Sequence, residues 1–471
     1  MNRRIIVVGG GIAGLAAAYR LTELNRENNP GLEIVLLEAS DRLGGCILTE
    51  RIGEFVVEAG PDSFISEKPW ALQLCERLGL GPRLVSTNET RQSVLVVHKG
   101  RPEPLPEGFF LMAPTRLWPL VKTPLFSWRG KLRLASETVM PRGRIGDDES
   151  LAAFVRRRFG QEMLERVVQP LIGGIYAADP EKLSLAATMP RFLEMERDGR
   201  SVTWAMWRAE RRRARNHAPE SGARWSLFLS LAGGMQELVD AIAARLPEGS
   251  VELGSQVTRL DRTSAKKSWI ATTNRAQTVE ADGIILATPA YSAAILLASA
   301  APELAQELRE IPYGSTATVS LAYRARDVRR DLGFGLIAPA IESRKILACT
   351  FSSVKYPGRA PAGSVLLRAF VGGALQPELF EQDDRALEAS VRDELAALLD
   401  IHAEPLFRRI HRHPRSMPQY PVGHLARVQR LEDYLGKFPG LALAGNAYRG
   451  VGIADCIHSG EQAAERLAGR T

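Results

Sequence analysis

Three glycines near the amino terminus have the spacing of a phosphate-binding turn. They follow the apolar run 5–8, and a second apolar stretch begins immediately after them. In such a turn the first glycine allows a tight bend, the second lets the backbone approach a pyrophosphate, and the third lets a helix pack on a strand. A helix starting there directs its positive end at the phosphates. The residues predicted to contact a dinucleotide are Gly9, Gly11, Ile12, Ala13 and Gly14.

A carboxylate and two further glycines extend this pattern. The apolar run 34–37 ends at Glu38, which we expect to accept hydrogen bonds from ribose hydroxyls. The residues that follow add a cation and two glycines beside the phosphate site. This extension resembles flavoprotein oxidases that bind FAD rather than nicotinamide dehydrogenases. The contacts predicted here are Glu38, Ala39, Arg42, Gly44 and Gly45.

The composition indicates a globular protein of two or three domains. The chain has 471 residues, of which 45% are apolar and 24% charged, and its formal net charge is +7. This charge favours an anionic partner: a nucleic acid, a membrane surface or a polycarboxylate. Nucleic-acid recognition has no motif here, so we expect no nucleic-acid partner. The four cysteines form no CxxC pair, which predicts no metal site and agrees with a reducing cytoplasm.

No segment has the pattern of a transmembrane helix. The longest uncharged run, residues 283–302, contains Pro289 and small polar residues, so a strand, a turn and a helix are expected instead. The apolar stretch near the amino terminus is interrupted by glycines, which argues against a signal peptide. We therefore predict a cytoplasmic protein, with peripheral attachment to the inner face of the cell membrane as an additional arrangement.

Strand and helix signals divide the chain into three units. Apolar runs near residues 251–260, 284–287 and 441–444 resemble buried strands and belong with the amino-terminal signal in one doubly wound α/β domain. The predicted limits are 1–66, 226–292 and 438–471 for a FAD-binding domain; 67–86 and 293–437 for a mixed-sheet substrate domain; and 87–225 for a helical, membrane-associating domain.

Two segments allow two interpretations each. Residues 109–128 alternate aromatic and basic side chains, which suits a membrane interface as well as an ordinary core. The basic run 207–215 could bind a polyanion, or it could be a solvated surface segment.

Four strings of residues resemble one enzyme family. They are 58–64 (EAGPDSF), 173–179 (GGIYAAD), 417–420 (MPQY) and 445–457 (GNAYRGVGIADCI). Together they resemble the oxygen-dependent protoporphyrinogen oxidases, a family that includes the coproporphyrinogen III oxidases of Gram-positive haem synthesis. The resemblance implies the monoamine oxidase fold, in which a Rossmann-like domain holds FAD.

The resemblance also implies a set of site residues. Further cofactor contacts would be Gly60, Pro61, Asp62, Ser63, Val257, Ala287, Gly445, Val451, Gly452 and Ile453. Substrate contacts would be Lys68, Ile175, Phe334, Ile337, Phe370 and Tyr448. The implied reaction removes six electrons from a porphyrinogen with O2 as acceptor and forms hydrogen peroxide. Flavin N5 takes the hydride, so no protein acid, base or metal is required.

Departures from the family pattern bear on the substrate. Members specific for protoporphyrinogen carry an arginine before the strand at 94–97, where this chain has Gln92, with Arg91 only nearby. Lys68 and the stretch 113–148 resemble the Gram-positive type instead. These features favour coproporphyrinogen III, which has four propionates, over protoporphyrinogen IX, which has two. His413 stands where an aromatic residue is expected, and handover of the product to a ferrochelatase is a further possible role.

Two other functions remain open from the sequence. A flavin amine oxidase would carry a lysine in the segment 314–319, where this chain has none, and would line its pocket with paired aromatics, of which only Tyr448 is a candidate. A non-catalytic flavoprotein that binds porphyrin is the second alternative.

Overall fold

The computed structural model of the chain describes 3–28, 31–88, 93–106, 109–110, 113–114, 118–141, 143, 148–199, 201–215, 227–263, 268–328 and 332–469. The strands of the first half are β1 Arg3–Val8, β2 Leu32–Leu37, β3 Thr49–Ile52, β4 Phe55–Glu58, β5 Phe64–Ile65, β6 Leu84–Ser86, β7 Val94–His98, β8 Arg101–Pro104, β9 Phe109–Phe110, β10 Ala113–Pro114 and β11 Phe228–Leu231. Those of the second half are β12 Val251–Glu252, β13 Val257–Arg262, β14 Trp269–Thr273, β15 Thr278–Ala281, β16 Gly283–Leu286, β17 Tyr313–Arg324, β18 Gly335–Ile337, β19 Ala348–Thr350, β20 Ser364–Gly372, β21 Phe407–Pro418 and β22 Leu441–Leu443.

Helices fill most of the remaining chain. The first ten are α1 Ile12–Asn28, α2 Pro69–Arg77, α3 Trp118–Lys122, α4 Trp128–Ser136, α5 Leu151–Arg158, α6 Gln161–Met163, α7 Gln169–Tyr176, α8 Leu185–Thr188, α9 Pro190–Gly199 and α10 Val202–Arg215. They are followed by α11 Gln236–Ala243, α12 Ala290–Leu296, α13 Pro302–Arg309, α14 Ser352–Lys355, α15 Pro377–Phe380, α16 Asp384–Leu399, α17 His424–Leu435 and α18 Ile453–Ala468. A π-helical turn, Leu164–Val168, joins α6 to α7, and 3₁₀ turns occupy Gly81–Arg83, Glu137–Val139, Ala325–Asp327 and Ala340–Glu342.

A five-stranded parallel sheet forms the nucleotide-binding half. Its order is β12-β2-β1-β16-β22, so strands from widely separated parts of the chain are neighbours. Buried apolar side chains fill both faces of β1 and β16, as expected for a parallel sheet covered on both sides. All five strands lie within the three segments predicted to form the FAD-binding domain, although the domain limits themselves stay a prediction.

A seven-stranded mixed sheet forms the second half. Its order is β21-β17-β20-β19-β18-β7-β8, and β7 pairs in parallel with β18. The β7–β8 hairpin thus differs from the sequence prediction, which assigned residues 87–225 to a helical unit. The physical reason is that the apolar strand β7 finds its partner in β18, more than two hundred residues later, and local periodicity carries no signal of that pairing.

Helices α3 to α10 fill most of residues 118–215, as their helical spacing predicts. Inside this unit the buried guanidinium of Arg158 pairs with the buried carboxylate of Glu137. Glu137 also accepts hydrogen bonds from the Ser201 hydroxyl and the Val202 amide. Such a pair is stable in an apolar core only when its remaining polar atoms are satisfied. In the part of the chain that the structure describes, no helix is both long and apolar enough to cross a membrane.

The first and last helices cross in close contact because glycine stands at the crossing. A Cβ atom at Gly460 of α18 would lie 2.1 Å from the carbonyl oxygen of Ala13 in α1. This contact brings the carboxyl-terminal helix against the glycine turn. It therefore joins the two ends of the chain around the nucleotide site.

We predict that Gly460→Ala destabilises the fold by about 1–3 kcal/mol, because the added methyl forces the two helices apart. Gly81→Ala is the matched control, since a Cβ there would meet nothing within 4 Å. Denaturant unfolding of the FAD-free proteins measures both. A loss at Gly460 no larger than that at Gly81 would contradict the close crossing.

Candidate active site

The glycine turn between β1 and α1 has the geometry that its spacing predicts. A Cβ at Gly9 would lie 2.8 Å from the carbonyl oxygen of Ala287, and one at Gly14 would lie 1.9 Å from the carbonyl oxygen of Gly9. Gly9 also has φ +104°, a conformation that side chains disfavour. A Cβ at Gly11, in contrast, would meet nothing within 4 Å. Two glycines therefore allow close packing, and the third leaves open space where α1 begins with Ile12 and Ala13.

Glu38 lies directly after β2, and its carboxylate closes over this turn. One oxygen accepts a hydrogen bond from the Gly10 amide at 2.5 Å, and the other accepts from the Ser40 amide at 2.8 Å. The amide of Ser255 donates to the Glu38 carbonyl at 2.8 Å, so the chain leading to Val257 and β13 runs beside Glu38 and Ala39. The residues predicted at the adenosine end are therefore neighbours.

The second glycine pair packs directly on the first turn. The Gly44 amide donates to the Gly10 carbonyl at 2.8 Å, and a Cβ at Gly45 would lie 3.2 Å from the Cα of Gly11. Arg42 donates to the carbonyls of Gly45 at 2.5 Å and Ile47 at 3.0 Å, so it shapes this loop from within. The open space at Gly11, the carboxylate of Glu38 and the start of α1 beside them together fit a dinucleotide.

The segment 58–63 is held by side chains from the second sheet. Arg368 of β20 donates to the carbonyls of Glu58 at 3.2 Å and Gly60 at 2.7 Å. Thr318 of β17 donates to the Ala59 carbonyl at 3.0 Å, and His413 of β21 lies 3.0 Å from the same oxygen. His413 thus stands where an aromatic residue was expected, and its ring contacts a backbone carbonyl. Burial lowers the pKa of His413, which favours a neutral ring that donates this bond.

A buried charge cluster lies beneath this segment, and sequence reasoning missed it. Asp62 lies 3.0 Å from Arg368 and 3.4 Å from Lys355, while Glu58 lies 3.6 Å from Arg359. Burial alone would raise the pKa of Asp62, but Lys355 and Arg368 hold it well below its usual range. The three cations come from positions 355–368. No motif in the sequence links these positions to the carboxylates of Glu58 and Asp62. Only the pairing of β20 with its neighbours brings them together.

The carboxyl-terminal loop between β22 and α18 is clamped by two residues before and within α17. The Tyr420 hydroxyl accepts from the Gly450 amide at 2.9 Å and donates to the Asn446 carbonyl. His424 Nε2 lies 2.9 Å from the Tyr448 carbonyl, and the Tyr420 and His424 rings stack at 4.0 Å. Sequence reasoning included Tyr420 in a family string but missed His424. The clamp fixes the loop that carries the predicted flavin contacts.

Helix α18 begins where the sequence places its start. Gly452 is its N-cap with extended backbone, no side chain caps it, and Ile453 is its first residue. A helix start of this kind stabilises negative charge. Gly445, at the beginning of the same loop, has open space within 4 Å of a built Cβ. The predicted residues Gly445, Val451, Gly452 and Ile453 therefore line one loop and one helix start.

Lys68 is engaged by the first turn of this helix. Its ammonium lies 2.6 and 2.8 Å from the two carboxylate oxygens of Asp455. Its side chain remains 42% exposed, so a substrate carboxylate can still reach it. Tyr176, next to Ile175 at the end of α7, has its pKa raised to about 12 by burial and by the charge of Asp455. Lys68 and the end of α7 thus both lie near Asp455 in the first turn of α18.

Two of the six predicted substrate contacts meet in one apolar cluster. Ile337 of β18 is buried in it, and Phe370 of β20 and Val451 pack against it. Phe334, half-buried, precedes β18, and its amide donates to the Ser93 carbonyl at 2.8 Å. Ile175 is 43% exposed on α7, whose neighbour Tyr176 also packs on the cluster. Ile337 and Phe370, predicted to contact substrate, and Val451, predicted to contact the flavin, therefore form one apolar wall.

Tyr448 does not join that wall. Its side chain is buried in a different apolar cluster, with Val428 and Leu431 of α17. Its hydroxyl has no hydrogen-bond partner within the described chain, and burial raises its pKa far above the usual value. Tyr448 also borders a groove of about 400 Å³ between α17 and α18. The predicted substrate contact of Tyr448 is thus separated from the others.

One sequence argument on substrate choice cannot be placed. Arg91 and Gln92 lie outside the described residues, as do parts of the stretch 113–148. Among the residues described, no group of three or more histidine, cysteine, aspartate or glutamate side chains could hold a metal ion.

Comparison with known proteins covers almost the whole chain. A family model described as "Flavin containing amine oxidoreductase" matches residues 12–468. The chain belongs to this family. The coproporphyrinogen III oxidase of Bacillus subtilis is 36% identical over 465 residues, covering 98% of this chain and 97% of that protein. The chloroplastic protoporphyrinogen oxidase of Oryza sativa subsp. japonica is 30% identical over 484 residues, covering 98% and 88%.

A solved structure agrees with these sequence comparisons. A protein from an Exiguobacterium species, provisionally named protoporphyrinogen oxidase, superposes with a TM-score of 0.86 at 31% identity, and the match covers 100% of both chains. As a member of this flavin-dependent family, the present chain uses FAD. Gly9–Gly14, Glu38 and the loop after β22 would hold the cofactor. The predicted flavin amine oxidase-like α/β fold, the cofactor and the resemblance to porphyrinogen oxidases are confirmed, whereas membrane association of the helical unit stays a prediction. The individual cofactor and substrate contacts stay predictions.

We predict that this flavoprotein loses stability as pH falls from about 6.5 to about 4, in part through His424. Burial lowers the pKa of His424 to about 4 in the folded protein, whereas an unfolded histidine titrates near about 6.5. Between these values the unfolded chain binds a proton that the folded chain rejects. The free energy of unfolding should therefore be about 2 kcal/mol lower at about pH 5 than at about pH 7 because of this residue.

Denaturant unfolding of the wild type and of His424→Gln at both pH values measures this contribution. The variant should show a smaller loss between them, while His402→Gln, at a histidine exposed to solvent, should keep the wild-type loss. Equal losses in the wild type and His424→Gln would rule out a titrating clamp.

Proposed function

We propose that this enzyme oxidises coproporphyrinogen III to coproporphyrin III in haem biosynthesis, with O2 as the electron acceptor. The observation that carries the proposal is the single apolar cluster that joins Ile337 and Phe370 to Val451 of the predicted flavin-contacting loop. A flat tetrapyrrole needs such a wall next to the cofactor. The similarity to porphyrinogen oxidases over nearly the full chain supports this substrate class over amines.

The reaction needs no strong base from the protein. Bound FAD would take a hydride from a bridge carbon of the macrocycle and pass the electron pair to O2. Three such oxidations remove six electrons and six protons from the porphyrinogen and convert three O2 to three H2O2. The positive charge left on the macrocycle is delocalised over its pyrrole nitrogens. The side chains must therefore orient the ring and exclude water rather than transfer protons.

The described residues match these tasks. We infer that Phe334 and Phe370, both half-buried, and the buried Ile337 form apolar surface for the faces of the macrocycle, with the exposed Ile175 at its edge. The start of α18 at Gly452 provides partial positive charge for the anionic reduced state of the cofactor. Lys68 provides a cation at the edge of this wall.

Two observations favour coproporphyrinogen over protoporphyrinogen. The identity to the coproporphyrinogen III oxidase of B. subtilis is 36%, against 30% to the plant protoporphyrinogen oxidase. Lys68 is partly exposed, so its ammonium can donate hydrogen bonds to one of the additional propionates of the more acidic substrate. Cytoplasmic location and product delivery to a ferrochelatase stay predictions.

We predict a higher kcat/KM for coproporphyrinogen III than for protoporphyrinogen IX in side-by-side assays of porphyrin fluorescence and peroxide. Lys68→Met should raise the KM for coproporphyrinogen by about tenfold through loss of a charge-assisted contact, and Lys68→Arg should largely restore it. Preference for protoporphyrinogen would reject the substrate choice. Oxidation of amines with no turnover of either porphyrinogen would reject the substrate class, and slow anaerobic flavin reduction by porphyrinogen would favour the non-catalytic alternative.

We further propose that α4 attaches the enzyme to an anionic membrane surface. Trp128 and Leu132, one turn apart on α4, are each 70% exposed, which is unusual for two neighbouring large apolar side chains. The Lys131 ammonium lies 4.8 Å from the Trp128 ring and donates to the Val121 carbonyl, and Val121 is itself 43% exposed. Apolar side chains flanked by cations suit the lipid interface.

We predict that the double variant Trp128→Ser, Leu132→Ser lowers binding to vesicles containing phosphatidylglycerol by about tenfold or more, because the apolar area available for insertion is lost. Ile295→Ser is the matched control, since Ile295 is 65% exposed on α12. Sedimentation with vesicles measures the binding. Wild-type binding by the double variant, or an equal loss in Ile295→Ser, would exclude α4 as the attachment site.

A further inference from the structure

The buried charge cluster beneath segment 58–63 is more positive than its surroundings require. Among the described residues it contains three cations, Lys355, Arg359 and Arg368, but only two carboxylates, Glu58 and Asp62. Both arginines are at most 5% exposed as side chains, and Lys355 is 16% exposed. Charge in excess inside a protein is costly unless something stabilises it.

The two arginines have evident structural tasks. Arg368 holds the carbonyls of Glu58 and Gly60, and Arg359 donates to the Ser230 hydroxyl at 2.6 Å and the Leu231 carbonyl at 3.1 Å. Removing either one would free backbone groups of the FAD-binding domain. Their charges are therefore inseparable from the architecture.

Lys355 differs because, among the described residues, its ammonium contacts the Asp62 carboxylate and no backbone carbonyl. Its ammonium lies 3.4 Å from both carboxylate oxygens of Asp62, and the rings of Tyr356 and Phe228 lie 5.0 and 5.5 Å away. Burial lowers the pKa of Lys355, while the charge of Asp62 opposes that shift. Because Arg368 also pairs with Asp62, at 3.0 Å, and Arg359 lies 3.6 Å from Glu58, the three cations outnumber the two carboxylates by one. Lys355 thus brings the surplus positive charge.

We propose that Lys355 is a positioning charge that raises the reduction potential of the bound FAD by stabilising the anionic reduced cofactor. Lys355 lies against Asp62, whose backbone belongs to the segment 60–63 predicted to flank the isoalloxazine. The charge of Lys355 therefore acts on the cofactor across this segment. In the low dielectric of the interior its field is only weakly screened. The chain has no lysine at 314–319, where amine oxidases carry one. Lys355 supplies a buried cation from a different element, the short helix α14.

This role of Lys355 depends on the proposed function in one respect, which is that the segment 60–63 must flank the flavin ring. The test therefore uses the purified holoenzyme without porphyrinogen, so an error in the assigned substrate leaves its result unchanged. The midpoint potential of the bound FAD is measured by dye-linked reduction, and FAD content is measured in the same samples. The variants are Lys355→Met, Lys355→Arg and Lys345→Met, which removes the same charge from an exposed position of the same domain.

We expect Lys355→Met to lower the midpoint potential by about 30 mV or more, which is a tenfold change in the two-electron equilibrium. Lys355→Arg keeps the buried charge, and Lys345→Met removes a charge that is exposed to solvent. The midpoint potentials of both variants should therefore stay within about 10 mV of the wild type, which is less than half of the shift for a tenfold change. An unchanged potential in Lys355→Met with full FAD content would overturn the proposal. So would an equal shift in Lys345→Met.

Asp62→Asn keeps the proposal testable if Lys355→Met fails to retain FAD. This variant removes negative charge from the same cluster, so it should move the midpoint potential upward, opposite to Lys355→Met. General loosening of the site gives no reason for shifts of opposite sign. A potential that falls or stays unchanged in Asp62→Asn would reject the proposed role of the surplus charge.

Discussion

The buried guanidinium of Arg368 is the interaction on which the site depends. It extends from the middle of β20 in the second sheet to the carbonyls of Glu58 and Gly60 in the nucleotide-binding half, and it pairs with Asp62. Together with Thr318 and His413, this side chain fixes the segment where the flavin ring and the substrate are expected to meet against the second sheet. Because the contacts are charge-assisted and buried, small displacements between the two halves would leave several polar groups without partners.

On the opposite side of the site, neutral side chains rather than charged ones fix the backbone by hydrogen bonds. Tyr420 and His424 fix the loop between β22 and α18 by hydrogen bonds to Asn446, Tyr448 and Gly450. Glycine-rich loops lose more conformational freedom on folding than other segments, so external contacts must stabilise their ordered form. The consequence is that α18 begins in a defined place and direction. A helix start can stabilise developing negative charge only if it is fixed in this way.

Local patterns in the sequence were sufficient for much of the fold. The turn at Gly9–Gly14, the strands β16 and β22 and the start of α18 all follow from apolar runs and glycines within short windows. The strand at 94–97 was recognised, but its place beside β18 in the second sheet was missed, because a strand's partner in a sheet is set by packing far along the chain. Tyr448 was predicted at the substrate on resemblance, yet its side chain packs with α17, because a residue's position in a motif does not determine the direction of its side chain.

The sequence by itself determined the cofactor and the chemical class of this protein. Glycine spacing and a carboxylate at a strand end act through the local backbone, which neighbouring residues specify directly. Only the tertiary structure decided how charge is distributed around the site. Lys355, Arg359 and Arg368 meet Glu58 and Asp62 across some three hundred residues, and Lys68 meets Asp455 across a comparable distance. Electrostatic interactions depend on separation in space and on burial, and neither quantity can be obtained from separation along the chain.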